Sequence, residues 1–223
     1  MSGSFEFLAK SWEDHINKLI KVSAKKQDSI EPKQQQIVEG ACRVFFKKGF
    51  HPTPIREIAE AAGMSMGQMY HYISSKDDVL FLIHRHMQIS WYRFIKDSRI
   101  DEVEDPYEKL EKAVRSTLDF LIENKKLIQF IYTESKYLNK KHLSVVLDMD
   151  DRVVVQYWRE LLKDIFGKKA SDNYIELASN LIEYLLVLYP LRGWNLKEIS
   201  KDELSNFLVE FIFRGLRGHN PTF

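Results

Sequence analysis

Apolar residues recur along the chain at steps of three and four, the period of a helix buried on one face, and no run alternates as a half-buried strand would. The pattern predicts an all-α protein. Phe5, Leu8, Trp12, Ile16, Leu19 and Val22 keep that step ahead of Pro32 and predict an amphipathic helix ending in the polar run Lys25 to Ser29. Gln34 to Lys48 follows, with Ile37, Ala41, Val44 and Phe45 inward. Ile55 to Ala62 is short, its stripe being Ile55, Ile58, Ala59 and Ala62. Pro54 suits its first turn and Thr53 its cap, while Gly63 breaks it. Ser65 then caps Met66 to Ile73. Asp77 and Asp78 open a longer helix through Val79, Leu80, Ile83, Met87 and Trp91 to about Lys96, roughly 30 Å at the standard rise.

The acidic stretch Asp101 to Asp105, closed by Pro106, reads as a linker. Beyond it the helical period continues through Tyr107–Asn124, Lys126–Ser135, an unbroken Asn139–Phe166 ended by Gly167, Asp172–Gly193 capped by Ser171, and Lys201–Gly215 capped by Ser200. Three regions are expected: an extension over 1–31, a three-helix unit over 32–91 and a larger helical unit over 92–223. The extension suits a packed extra helix, a basic arm reaching the minor groove through Lys25 and Lys26, or an accessory element.

Composition changes this picture little. The chain has 223 residues, 44% hydrophobic and 29% charged, enough for a packed core and unlike a disordered chain. Its single Cys makes no internal disulfide, and no apolar run is long enough to span a bilayer, which points to a cytoplasmic protein with no membrane partner. Cys42 lies among Val38, Phe45 and Phe46 and reads as a small core residue. Net charge is only +1, so global basicity does not advertise nucleic acid. Locally, Pro32 to Ser90 holds Lys33, Arg43, Lys47, Lys48, Arg56, Lys76 and Arg85 against five acids.

The chemistry-bearing stretch is Thr53 to Lys76. Two short helices around a Gly turn form a helix-turn-helix, and the second carries Gln68, Tyr70, His71 and Tyr72 within two turns. That face offers hydrogen-bonding groups and aromatic surface with almost no charge, which suits base edges and phosphates. Residue by residue, Gln36 to about Ile83 resembles the TetR family of bacterial transcriptional repressors. The match runs through Ile37, Ala41 and Phe45, Gly49-Phe50, Ile58-Ala59, Ala62-Gly63, Ser65, Gly67, Tyr70 with Tyr72, Lys76 and Leu80. Ile73, Met66 and Gln68 depart from the family's usual residues, the last two on the reading face. The resemblance implies an N-terminal helix-turn-helix DNA-binding domain and a C-terminal helical ligand-binding and dimerisation domain. It also implies double-stranded DNA, as a palindromic operator, for partner. Arg56, Tyr70, Tyr72 and Lys76 are expected on phosphates, with a backbone contact at Thr53. Gly67, Gln68 and His71 are expected at bases, beside the cap residue Ser65.

The last two helices are too apolar for a monomer's surface. Leu181, Leu185, Leu188, Leu204, Phe207 and Phe211 are the expected seam of a homodimer built as an intermolecular four-helix bundle. Phe120, Phe130, Tyr132, Tyr157, Trp158, Tyr184 and Trp194 are the candidate lining of a pocket for a hydrophobic small-molecule effector. Tyr132-Thr133-Glu134-Ser135, Tyr137-Leu138 and Leu191-Arg192-Gly193-Trp194 are similar to the TetR-like regulators that sense fatty acyl-CoA thioesters. That likeness implies a long-chain acyl-CoA effector; separately, no cofactor and no metal are expected. His84 and His86 lie about 200° apart around a helix and cannot share an ion. Two other classes stay in view. An enzyme would need a phosphate loop, nucleophile elbow or metal spacing that the sequence does not contain, and a helical protein-interaction scaffold would leave the reading helix without purpose.

Overall fold

The computed structural model describes residues 30–217, and the extension's expected helix lies outside them. All regular structure among the described residues is helical. The chain divides into two compact units. Among the described residues, one contains 30–86 together with Glu134–Leu143, and the other contains Met87–Thr133 and 144–217. The division therefore differs from a single cut after residue 91: ten residues from the middle of the chain fold with the first unit.

In the first unit, helices α1 (Ile30–Lys48), α2 (Ile55–Ala61) and α3 (Met66–Tyr70) precede α4 (Lys76–Asp97), whose first half belongs here. Ile37, Ala41, Phe45, Ile58, Met69, Ile73, Leu80 and Ile83 are buried, as the helical period requires. α4 is capped reciprocally at its start. Asp78 Oδ2 accepts from the backbone N–H of Ser74 at 2.6 Å and Ser75 at 3.1 Å, and Ser75 Oγ accepts from the Asp78 N–H at 3.2 Å. The inserted residues dock on this unit through Tyr137, stacked 5.5 Å from Phe50 and 4.9 Å from His51, and through His142, stacked 4.7 Å from Phe81.

The second unit is a helical bundle. α5 (Pro106–Glu123) packs against α8 (Gln156–Phe166), α9 (Asp172–Leu186), α10 (Leu188–Arg192) and α11 (Lys201–Arg217), and α6 (Lys125–Glu134) and the later part of α7 (Lys140–Asp150) complete it. Asp105 caps α5 by accepting from Tyr107 and Glu108, each at 2.9 Å, and Ser171 and Ser200 cap α9 and α11 as their positions predict. Trp158 is fully buried.

Two expected helices differ in detail. Asn139–Phe166 contains a π turn at Asp151–Val155 between α7 and α8. Arg159 fastens that turn by pairing with Asp151 and with Glu176, the latter at 2.6 Å. Asp172–Gly193 breaks at Val187, because Pro190 has no N–H for the Leu186 carbonyl and its ring crowds that oxygen.

Candidate nucleic-acid interface

α2 and α3 are joined by a tight turn in which Gly63 adopts φ +64°, a left-handed conformation that a side chain would strain. Gly40 on α1 lets α2 approach: a Cβ there would stand 2.7 Å from the Ala62 nitrogen. The carbonyls at the end of α2 take Gln36 Nε2 on Ala62 O at 2.5 Å and the Arg43 guanidinium on Ala61 O. These three α1 residues hold the helix-turn-helix in shape. Spacing along the sequence did not mark them, since their partners lie 18 to 26 residues away.

The reading helix is shorter than its pattern predicts, ending at Tyr70 rather than Ile73. The His71 N–H bonds to Gln68 O and the Tyr72 N–H to Met69 O, so a turn follows, and Ile73 is buried. Ser65 and Gln68 form a capping box. Ser65 Oγ accepts the Gln68 N–H at 3.2 Å, and Gln68 Oε1 accepts the Ser65 N–H at 2.9 Å. Gln68 is exposed, yet its amide oxygen serves the cap, so a bidentate grip on adenine requires it to leave. Gly67 is exposed, with only Ser65 Oγ within 4 Å of the Cβ position. Tyr70 is 53% exposed, His71 is exposed and Tyr72 half-buried, so all three are open to a partner. Arg56 is exposed and pairs with Glu60 at 3.0 Å, an i,i+4 surface pair that costs little to open.

Two residues expected at DNA make their bonds within the protein in this structure. Thr53 is buried and does not cap α2: its hydroxyl donates to Gly49 O at 2.8 Å and its N–H to Phe50 O at 3.3 Å, so neither is presented to DNA. Lys76 folds back on the loop between α1 and α2. Its ammonium donates to Phe50 O at 2.9 Å, His51 O at 2.8 Å and Thr53 O at 3.1 Å, and rides 4.6 Å over the Phe50 ring. Burial lowers its pKa, and its three donors are spent inside the protein. Cys42 is a packed thiol, its pKa pushed up to about 12 by burial.

In the second unit the expected pocket residues divide. Phe120, Phe130 and Trp158 are core, Tyr157 is half-buried, and Tyr132, Tyr184 and Trp194 are exposed, so the seven do not line one enclosed cavity. The α9 period explains Tyr184: Ile175, Ser179, Ile182 and Leu186 face inward, which turns Leu177, Leu181 and Tyr184 outward. Of the expected seam, Leu181, Leu188, Phe207 and Phe211 are exposed and Leu185 half-buried, whereas Leu204 is buried on the inner stripe with Leu208 and Ile212. A shallow apolar groove runs between α9 and α11, lined by Leu181, Leu185 and Phe211 with Tyr174, Ala178 and Gly215.

Two buried donors in this unit, Tyr157 OH and Trp158 Nε1, have no hydrogen-bond partner among the described residues. Asp150 and Glu183 are carboxyls whose pKa values burial raises, to about 6 and about 8. No described helix is long and apolar enough to cross a membrane.

Comparison with known proteins bears on the same residues. Residues 37–83 match the family model "Bacterial regulatory proteins, tetR family". The HTH-type transcriptional regulator PksA of Bacillus subtilis (strain 168) is 32% identical over 197 residues, covering 84% of this chain and 91% of that protein. Among solved structures, the fatty acid degradation regulator FadR from Bacillus halodurans superposes with TM-score 0.65 at 26% identity, covering 83% of this chain and 97% of its own. AibR, solved with isovaleryl coenzyme A and operator DNA, has TM-score 0.62 at 18% identity, covering 80% and 97%.

Proposed function

Because the chain belongs to the TetR family of bacterial transcriptional regulators, we propose that it acts as a homodimeric repressor whose hold on a palindromic operator is released by a long-chain acyl-CoA. The observation that carries the DNA-binding part is the exposed face of α3 and its C-cap, where Gly67, Tyr70 and His71 stand clear, just after the end of α2 that α1 holds through Gln36 and Arg43. Gly67 and His71 read base edges, with Gln68 once it leaves its cap. Arg56, Tyr70 and Tyr72 hold phosphates, and Ser65 fixes the start of the helix.

The dimer reading is supported by the exposed apolar residues of α9 and α11, Leu181, Leu188, Phe207 and Phe211, which an isolated chain would leave in water. A two-fold copy of the same helix pair covers them and sets two reading heads about one or more DNA turns apart. The effector reading is supported by the unpaired Tyr157 hydroxyl and Trp158 Nε1, two donors beside aromatic and aliphatic side chains, as a thioester carbonyl at the head of an acyl chain requires. FadR is a fatty acid degradation regulator, and AibR was solved with isovaleryl coenzyme A, an acyl thioester, which favours this ligand class over others.

A mobility-shift assay on the DNA upstream of the protein's own gene, followed by titration of the complex with thioesters of increasing length, tests the proposal. Release is expected to strengthen by about 0.8 kcal/mol per added buried methylene until the site is full, with free coenzyme A inactive. A hundredfold loss of operator affinity requires about 2.7 kcal/mol of differential binding, within reach of several methylenes. Release by coenzyme A alone, or by no thioester of any length, would remove the acyl chain from the reading.

A further inference from the structure

In the first unit His142 stands between two carboxylates of the first turn of α4. Its Nδ1 lies 2.5 Å from Asp77 Oδ2 and its Nε2 lies 3.6 Å from Asp78 Oδ1. The side chain is only 5% exposed and is held flat against the Phe81 ring. Asp77 is itself oriented by the Asn139 backbone N–H at 3.0 Å and by the Asn139 amide. Asp78 Oδ2 is taken up by the Ser74 and Ser75 N–H groups, so Oδ1 is its unused oxygen. Nε2 has no hydrogen-bond partner among the described residues, and Asp78 Oδ1 faces it across the 3.6 Å gap.

That gap has the dimensions of two neighbouring ligand atoms on one metal. With Zn–N and Zn–O bonds near 2.0 to 2.2 Å, tetrahedral ligand atoms stand about 3.4 Å apart. The other side of the ring already has the arrangement that metal-bound histidines favour, a carboxylate accepting from the second nitrogen and fixing the tautomer. We propose that His142 Nε2 and Asp78 Oδ1 bind a zinc-class divalent transition-metal ion, with Asp77 orienting the imidazole and solvent completing the coordination. Two protein ligands make a labile site, suited to sensing free metal rather than to holding the fold together.

The consequence lies in which segments the ligands come from. Asp78 follows the reading helix by eight residues, and His142 is the last residue but one of the inserted stretch Glu134–Leu143, which is joined covalently at both ends to the second unit. An ion between them fastens that stretch to the start of α4. The site thus gives the DNA-reading unit a metal input that does not depend on the identity of the effector.

The test uses the full chain freed of metal by chelation. Co2+ is added as a spectroscopic probe, followed by Zn2+ with thermal unfolding as readout, in wild type, His142→Gln and Asp77→Asn. We expect Co2+ to develop visible d–d absorption that Zn2+ abolishes, and Zn2+ to raise Tm by several degrees in wild type. Both responses should vanish in His142→Gln and weaken at least tenfold in affinity in Asp77→Asn. Nitrogen-15 imidazole spectra of wild type give a readout that requires no variant to fold: Zn2+ should shift His142 Nε2 while Nδ1 keeps its proton. Metal responses unchanged in His142→Gln, or an Nε2 resonance indifferent to millimolar Zn2+, would overturn the proposal and leave an ion pair between the ring and its carboxylates.

Discussion

Replacing Lys76 distinguishes a side chain that binds DNA from one that builds the surface that does. Its ammonium donates to three loop carbonyls between 2.8 and 3.1 Å and lies over Phe50. A hydrogen bond from a charged donor contributes about 1.5 to 3 kcal/mol when buried. Here the loop is partly exposed, and water regains the carbonyls once the side chain is removed. Lys76→Ala is therefore expected to lose about 2 to 3 kcal/mol of stability, a fall in Tm of roughly 4 to 12 °C for a chain of this size. Lys76→Arg should recover only part of this, because a planar guanidinium cannot point three donors at carbonyls clustered around one nitrogen. Operator affinity should fall in both through a loosened loop, while the slope of log K against log salt stays at its wild-type value. A phosphate contact would behave in the opposite way: Lys76→Ala would keep its Tm and reduce the slope by about 0.9, and Lys76→Arg would keep both. Calorimetry and a salt series on the same preparations decide, and that second pattern would refute the staple.

Other outcomes follow from the packing. Gly40→Ala places a methyl 2.7 Å from the Ala62 backbone and should cost about 1 to 3 kcal/mol in denaturant unfolding, with loss of operator binding. Phe211→Asp alters a residue 51% exposed in the isolated chain, so light scattering should find monomers that stay folded by circular dichroism; an unchanged dimer would place the seam elsewhere. Glu183 has a pKa of about 8 in the folded state, well above its unfolded value, so the native state binds the extra proton between the two values and stability falls as pH rises from about 4.5 to 8. Glu183→Gln should flatten that decline and raise Tm at pH 8.5 by about 4 °C or more, read by thermal unfolding across pH; a decline as steep as wild type would show that Glu183 does not cause it.

Most helices were legible from the residues alone because the interactions that make them are local, but not every end was: α3 stops at Tyr70 rather than Ile73, and α9 at Leu186. Ser65 with Gln68, Ser200 with Glu203, and Asp105 before Pro106 each satisfy backbone groups within one turn, and the three-to-four step of apolar residues marks the face that must leave water. The reading helix and the family both follow from such local features. The break at Val187 was also written locally, in Pro190, although the apolar period runs through it without interruption. What the tertiary structure decided are the partners of groups able to choose among many. Lys76 looked like a free cation until the fold brought three carbonyls from residues 23 to 26 positions earlier to its ammonium. Thr53 had a backbone to cap and bonded back to Gly49 instead. Leu204 and Phe207 share one apolar pattern, and only the packing of α11 on α5 and α9 put the first inside and left the second in water. His142 and Asp77 are 65 residues apart, and neither their spacing nor their composition suggests that they meet. Long-range pairing is selected by how whole helices pack, a sum over many small contacts, so no single residue type announces it in the chain.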